Sequence, residues 1–115
     1  MAKRPLERIR GICLELPEAY EEETWGQATF RVRKKIFAMS MSHDGGVAVC
    51  MKAQREDQRA MLAQGRPFIS PPYLGPKGWI GVDLAAPGVD WVEVSELVRE
   101  SYRLVAPKRL SSTIG

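Results

Sequence analysis

Ser42, His43 and Asp44 stand side by side and supply the three residue types of a nucleophile, a base and an orienting carboxylate. Catalysis of that kind needs the groups to converge through separate hydrogen bonds, which three neighbours in one short turn cannot do. The trio therefore predicts a turn. His43 is the only histidine, so a histidine-built metal site is excluded. Cys13 and Cys50 lie on separate apolar-patterned segments without Cys-x-x-Cys or Cys/His ligand spacing, and they read as buried free thiols rather than zinc ligands. Glu18, Glu21, Glu22 and Glu23 gather oxygen atoms but lack the alternating spacing and glycine of a calcium loop, so a solvated connector is expected. No GxGxxG, GxxxxGK[ST] or GxSxG pattern occurs. These readings predict a protein with no catalytic residues, no metal and no cofactor.

The segment TFRVRKKIFAMS, residues 29–40, carries a different chemistry: Arg31, Arg33, Lys34 and Lys35 place four cations within five residues. Two readings stand side by side. Charge on an exposed hairpin hinders edge-to-edge association of strands and aids solubility. The same charge can neutralise nucleic-acid phosphates and release their counterions. Lys77, beside Trp79, and Lys108 with Arg109 are the cations that could extend such a surface, and Trp79 could stack on a ligand. A net charge of +3, from 17 basic and 14 acidic side chains, does not by itself select a polyanion, so distribution must decide. An arrangement that sets Glu18–Glu23 beside the hairpin would cancel its field and favour a protein-interaction or small-ligand module instead.

Elements must position these groups. Residues 5–16 predict a helix, with Pro5 in the first turn and Leu6, Ile9, Cys13 and Leu16 on one stripe, ended by Pro17. From Thr24 the apolar period becomes two. Phe30 and Val32 share one face and Thr29, Arg31 and Arg33 the other, with a turn near Arg33–Lys35, a returning strand at 36–41, a Ser42–Gly46 turn and a third strand at 47–52. Residues 54–64 predict a helix stopped by Gly65. Residues 68–74, with Pro71 and Pro72, suit an edge or a loop, and a Gly75–Gly78 turn leads to a strand at 79–84. Asp90 and Glu93 can cap a last helix bearing Val94, Leu97, Val98, Ser101, Tyr102 and Val105 on one face. Pro107 closes that helix, and Leu110–Gly115 is expected to fray. Most aromatic side chains are expected in the core. The order α-β-β-β-α-β-β-α predicts an α+β two-layer sandwich with a mostly antiparallel sheet.

A chain of 115 residues, 44% hydrophobic and 27% charged, fits one domain able to bury a core without staples. No apolar run approaches the ~20 residues a bilayer span needs, and MAKRPLERIRG lacks the apolar centre of a secretory signal, so a cytoplasmic location is expected.

Three segments, WGQATFRVRKKIFA at 25–38, PPYLGPKGWIGVDL at 71–84 and DWVEVSELVRESYRLVAPKRL at 90–110, resemble the MmcQ/YjbR-like family of small bacterial proteins. The resemblance implies a CyaY-like α+β sandwich and, for function, duplex DNA binding through two hairpin wings. Carried onto this chain, the first wing would hold Arg31, Arg33, Lys34 and Lys35, and the second Lys77 and Trp79. Ala28 and Lys34 depart from the family pattern, which often has proline after Trp-Gly and glycine in the hairpin turn. The resemblance implies no catalytic residues, and likeness to the frataxin fold transfers no iron binding. The alternative is a protein-interaction or small-ligand module with a groove near Tyr73 and Trp79.

Overall fold

The computed structural model describes residues 4–114. Residues 1–3, which begin the MAKRPLERIRG stretch, and Gly115, the last residue of the expected frayed tail, lie outside the described residues. Helix α1 (Pro5–Leu14) is followed by strands β1 (Tyr20–Thr24), β2 (Gln27–Val32), β3 (Lys35–His43) and β4 (Gly46–Lys52), then α2 (Arg55–Gln64), β5 (Phe68–Ile69), β6 (Trp79–Asp83), α3 (Trp91–Val105) and α4 (Lys108–Ser111). One six-stranded antiparallel sheet results, in the order β1-β2-β3-β4-β6-β5. The α+β architecture is as expected, with two additions to the element order.

The first addition is β1. Glu21, Glu22 and Glu23, read as part of a connector, form a strand that pairs with β2 through Glu21–Phe30, Glu22–Thr29 and Glu23–Ala28. An edge strand with almost every side chain in solvent has no apolar alternation to betray it, and its pairing comes from the backbone of β2. The meander thus has four strands rather than three. The second addition is α4. Lys108–Ser111 is helical and continues into a 3-10 turn at Ser112–Ile114, while Leu110 is buried in the core, so the described tail packs instead of fraying.

Three two-residue turns build the meander: Trp25–Gly26, Arg33–Lys34 and Asp44–Gly45. Both residues of each have positive φ, at 51° and 78°, 50° and 70°, and 46° and 79°. This is the primed geometry whose twist suits a hairpin. Two of the turns use glycine second; the middle one uses Lys34.

Helices cover one face of the sheet. Phe30, Val32, Ala38, Val49, Met51, Ile80 and Val82 meet Ile9, Cys13, Met61, Val94, Val98 and Tyr102 in a single core. Phe30 lies opposite Ala38 while Arg31 lies opposite Ile36, so Phe37 is the extra residue of a bulge. The bulge lets Phe37 join Ala38 inside, where its ring meets Tyr102 edge-on at 5.3 Å and 87°. Ser101 ties α3 to the sheet by donating to the Phe37 carbonyl (2.6 Å) and accepting from the Lys52 amide (2.9 Å). Asp90 caps α3 as expected, accepting from the amides of Val92 (3.0 Å) and Glu93 (3.2 Å).

Candidate nucleic-acid interface

Antiparallel pairing decides which basic segments can act together. The Arg33–Lys34 turn joins β2 to β3 at one end of the sheet, and β4 finishes at that end with Lys52 opposite Trp79, the first residue of β6. Lys77 precedes Trp79 by two residues. The Trp25–Gly26 and Asp44–Gly45 turns lie at the other end. From β3 to β6 is two strand spacings, about 10 Å. The corner after α3 belongs to the same end as the Arg33–Lys34 turn, because the Tyr102 hydroxyl donates to the Pro17 carbonyl (2.7 Å) and the charge of Arg109 acts on the neighbouring Glu18. The two expected wings and the Lys108–Arg109 segment therefore share one end of the molecule.

The loop bearing Lys77 is held from beneath. Buried Gln58 on α2 donates from Nε2 to the carbonyls of Gly75 and Trp79, each at 2.8 Å, and Arg55 donates to the Pro76 carbonyl at 3.3 Å. The Gly75–Lys77 stretch, expected as a turn, is one turn of 3-10 helix ended by left-handed Gly78. Lys77 is exposed and Trp79 half-buried.

The four cations of the first wing do not act alike. Arg31 and Arg33 are both engaged by carboxylates, although Arg33 remains exposed. Arg31 lies along the sheet surface, donating to Thr24 Oγ1 (2.9 Å) and Thr29 Oγ1 (3.2 Å) and pairing with Glu22 at 3.1 Å. Arg33 forms a two-pronged pair with Glu18, at 2.7 and 3.1 Å. Hydrogen bonding to Arg33, and the charges of Arg33 and Arg109, hold the Glu18 carboxyl below the usual carboxylate range. The acidic stretch thus lies beside the wing, the arrangement that weakens its field. No periodicity marks β1, so nothing local reveals it as a neighbour of β2. Lys34 and Lys35 stay exposed, as do Lys77, Lys108 and Arg109, and among the described residues none of these five has a carboxylate within 4.0 Å.

Most aromatic side chains are buried or partly buried as expected, but two lie almost wholly outside. Trp25 is 95% and Tyr73 92% exposed, both on left-handed backbone, Trp25 in its hairpin turn and Tyr73 after Pro71–Pro72. The ligand-binding alternative expects a groove near Tyr73 and Trp79; a cleft of about 650 Å³ lies elsewhere, between α1 and α3, bounded by Glu7, Glu15, Trp91 and Glu96. There the Arg8 guanidinium sits 4.2 Å above the Trp91 ring. His43, the last residue of β3, and Asp44, the first of the turn, approach at 3.6 Å. Both cysteines are buried free thiols; burial pushes Cys13 up and Cys50 up to about 12, so neither is a ready thiolate. Among the described residues no group of three or more His, Cys, Asp or Glu side chains could hold a metal ion, and no helix is long and apolar enough to cross a membrane.

The fold recurs in solved proteins. Deinococcus radiodurans protein DR2400, with a DUF419 domain, superposes with a TM-score of 0.76 at 22% identity over 88% of this chain and 78% of that one. A protein from Pseudomonas syringae does so with a TM-score of 0.71 at 18% identity over 90% of this chain and 99% of its own. At these identities the likeness shows the fold alone. No curated protein matches the chain. The YjbR family model matches residues 14–104, from the end of α1 to the last turn of α3, and the chain belongs to the YjbR family.

Proposed function

We propose that this protein is a non-catalytic module that binds duplex DNA through its phosphates, using the lysines at one end of the sheet. The observation that carries this reading is Lys34. The two sister turns, Trp25–Gly26 and Asp44–Gly45, place glycine second, where left-handed backbone strains any side chain; at the third turn Arg33 and Lys34 both accept positive φ. Local strain retained under charged, exposed residues is the kind of departure that function explains. Lys35, Lys77 and Lys108 at the same end supply further positive groups, and cations of this kind position a protein on the backbone without reading bases.

A fluorescence-anisotropy titration on generic duplex DNA across a salt series tests the reading. Wild type should weaken steeply with salt. A Lys34→Ala, Lys35→Ala, Lys77→Ala protein should bind more weakly, its log K against log salt slope shallower by about 0.9 for each phosphate it no longer neutralises. Identical affinities and slopes for the two proteins remove these lysines from the mechanism.

A second reading, a protein-interaction module, is favoured by the acidic β1 strand beside the wing and by the exposed rings of Trp25 and Tyr73. It gains if duplex affinity does not rise as salt is lowered. Glu22 on β1 and Glu18 just before it engage Arg31 and Arg33 and leave the lysines, among the described residues, without carboxylate partners, which supports the DNA reading.

A further inference from the structure

Glu18 and Arg33 form an unusual pair. Each stands on left-handed backbone, at φ 59° and 50°, yet their side chains are 48% and 44% exposed. A half-exposed ion pair adds little to folding, so stability does not account for two strained residues meeting. The position of Glu18 is nevertheless well defined. The carbonyl of Pro17 just before it is held by the hydroxyl of Tyr102, whose ring is buried in the core. From that anchor both carboxylate oxygens enter the fork of Arg33, at 2.7 Å from Nε and 3.1 Å from Nη2. A phosphate presents two oxygens to a guanidinium in the same planar, two-pronged way. The charge of Arg109, which makes no ion pair with Glu18, also acts on this carboxylate from further away.

We infer that Glu18 is an internal stand-in for phosphate: its carboxylate occupies the guanidinium fork of Arg33, and a phosphate group enters by displacing it. The inference deepens the DNA reading and rests on it for the nature of the natural ligand, but the site can be tested with free phosphate alone. Glu18 then sets a threshold. One phosphate must outcompete a tethered carboxylate before Arg33 contributes, and binding is restrained without any change of fold.

Two variants, Glu18→Gln and Glu18→Ala, empty the fork of negative charge at an exposed position, and unchanged thermal unfolding establishes that they fold. The arginine Nε–Hε signals of the full-length protein are followed by NMR during titration with inorganic phosphate. The Arg33 signal should move in both variants at phosphate concentrations about tenfold lower than in wild type. In a parallel arm, duplex DNA should bind the Glu18 variants several-fold more tightly at low salt, with a log–log salt slope steeper by about 0.9 for one further phosphate neutralised. Arg33 signals that ignore phosphate in both variants overturn the inference, whatever the lysine substitutions do to DNA. An Arg33 response to free phosphate without any change in duplex affinity supports the site with a small phosphoanion as its ligand, and in that event unaltered DNA binding by the lysine variant separately sinks the DNA reading.

Discussion

Lys34 condenses the tension between stability and use at the scale of one residue. With φ at 70° it occupies a backbone region in which a β-carbon is crowded, at roughly 1 kcal/mol or more. Lys34→Gly should therefore raise stability by up to about 1 kcal/mol, measured by urea unfolding, while weakening duplex binding through loss of the charge. A rise in stability with no change in binding would reduce Lys34 to a poor choice of turn residue. Ser101 is the opposite case, a residue with a wholly structural role. Its hydroxyl satisfies one buried carbonyl and one amide between α3 and the sheet, so Ser101→Ala should cost about 1–3 kcal/mol and leave phosphate binding as it is. Neither role is legible locally. The periodic pattern places Ser101 on the buried face of its helix, but the carbonyl it meets, on Phe37, is 64 positions away.

Elements divide into those that carry a local signature and those that borrow their structure from a neighbour. Helix α3 belongs to the first kind: Asp90 caps it, its apolar stripe faces the sheet, and Pro107 follows its end. Asp90→Ala should lower stability by about 1 kcal/mol in thermal or urea unfolding. Strand β1 belongs to the second kind, and so do the ion pairs on it and just before it. Hydrogen bonds from Arg10 to Glu21 and from Arg33 to Glu18 hold both carboxyls below their usual range. The sign follows from linkage: a depressed folded-state value stabilises above the unfolded carboxylate range and is lost as pH falls through the folded values. Acid titration below about pH 4.3 should loosen the β1 edge before the core, read as early amide exchange in Tyr20–Thr24. Simultaneous loss of β1 and β4 protection would show that these pairs do not tie the edge. Helix α4 is unreadable for a related reason, since a single buried leucine cannot establish a period, and Leu110 reveals its place only against the finished core.

Across the whole molecule, the sheet gathers positive groups at one end and lays a line of glutamates along one edge, so a modest net charge of +3 is unevenly distributed. If that end meets DNA, binding should fall log-linearly with salt and depend little on base sequence, because lysines that touch only the backbone position rather than read. Comparable affinities for unrelated duplexes at one salt concentration are the expected result; a strong preference for one sequence would require a reading surface elsewhere on the molecule. The α+β class, the hairpin turns at Arg33–Lys34 and Asp44–Gly45, the edge character of 68–74, the buried thiols and the capped last helix were all written in the chain, because each depends on residues within a turn or two of one another. What faces what was not. Whether Arg33 meets solvent or Glu18, and whether Lys77 shares an end with Lys34, depended on strand order and register, and those arise from long-range backbone pairing and a shared core that no local spacing encodes.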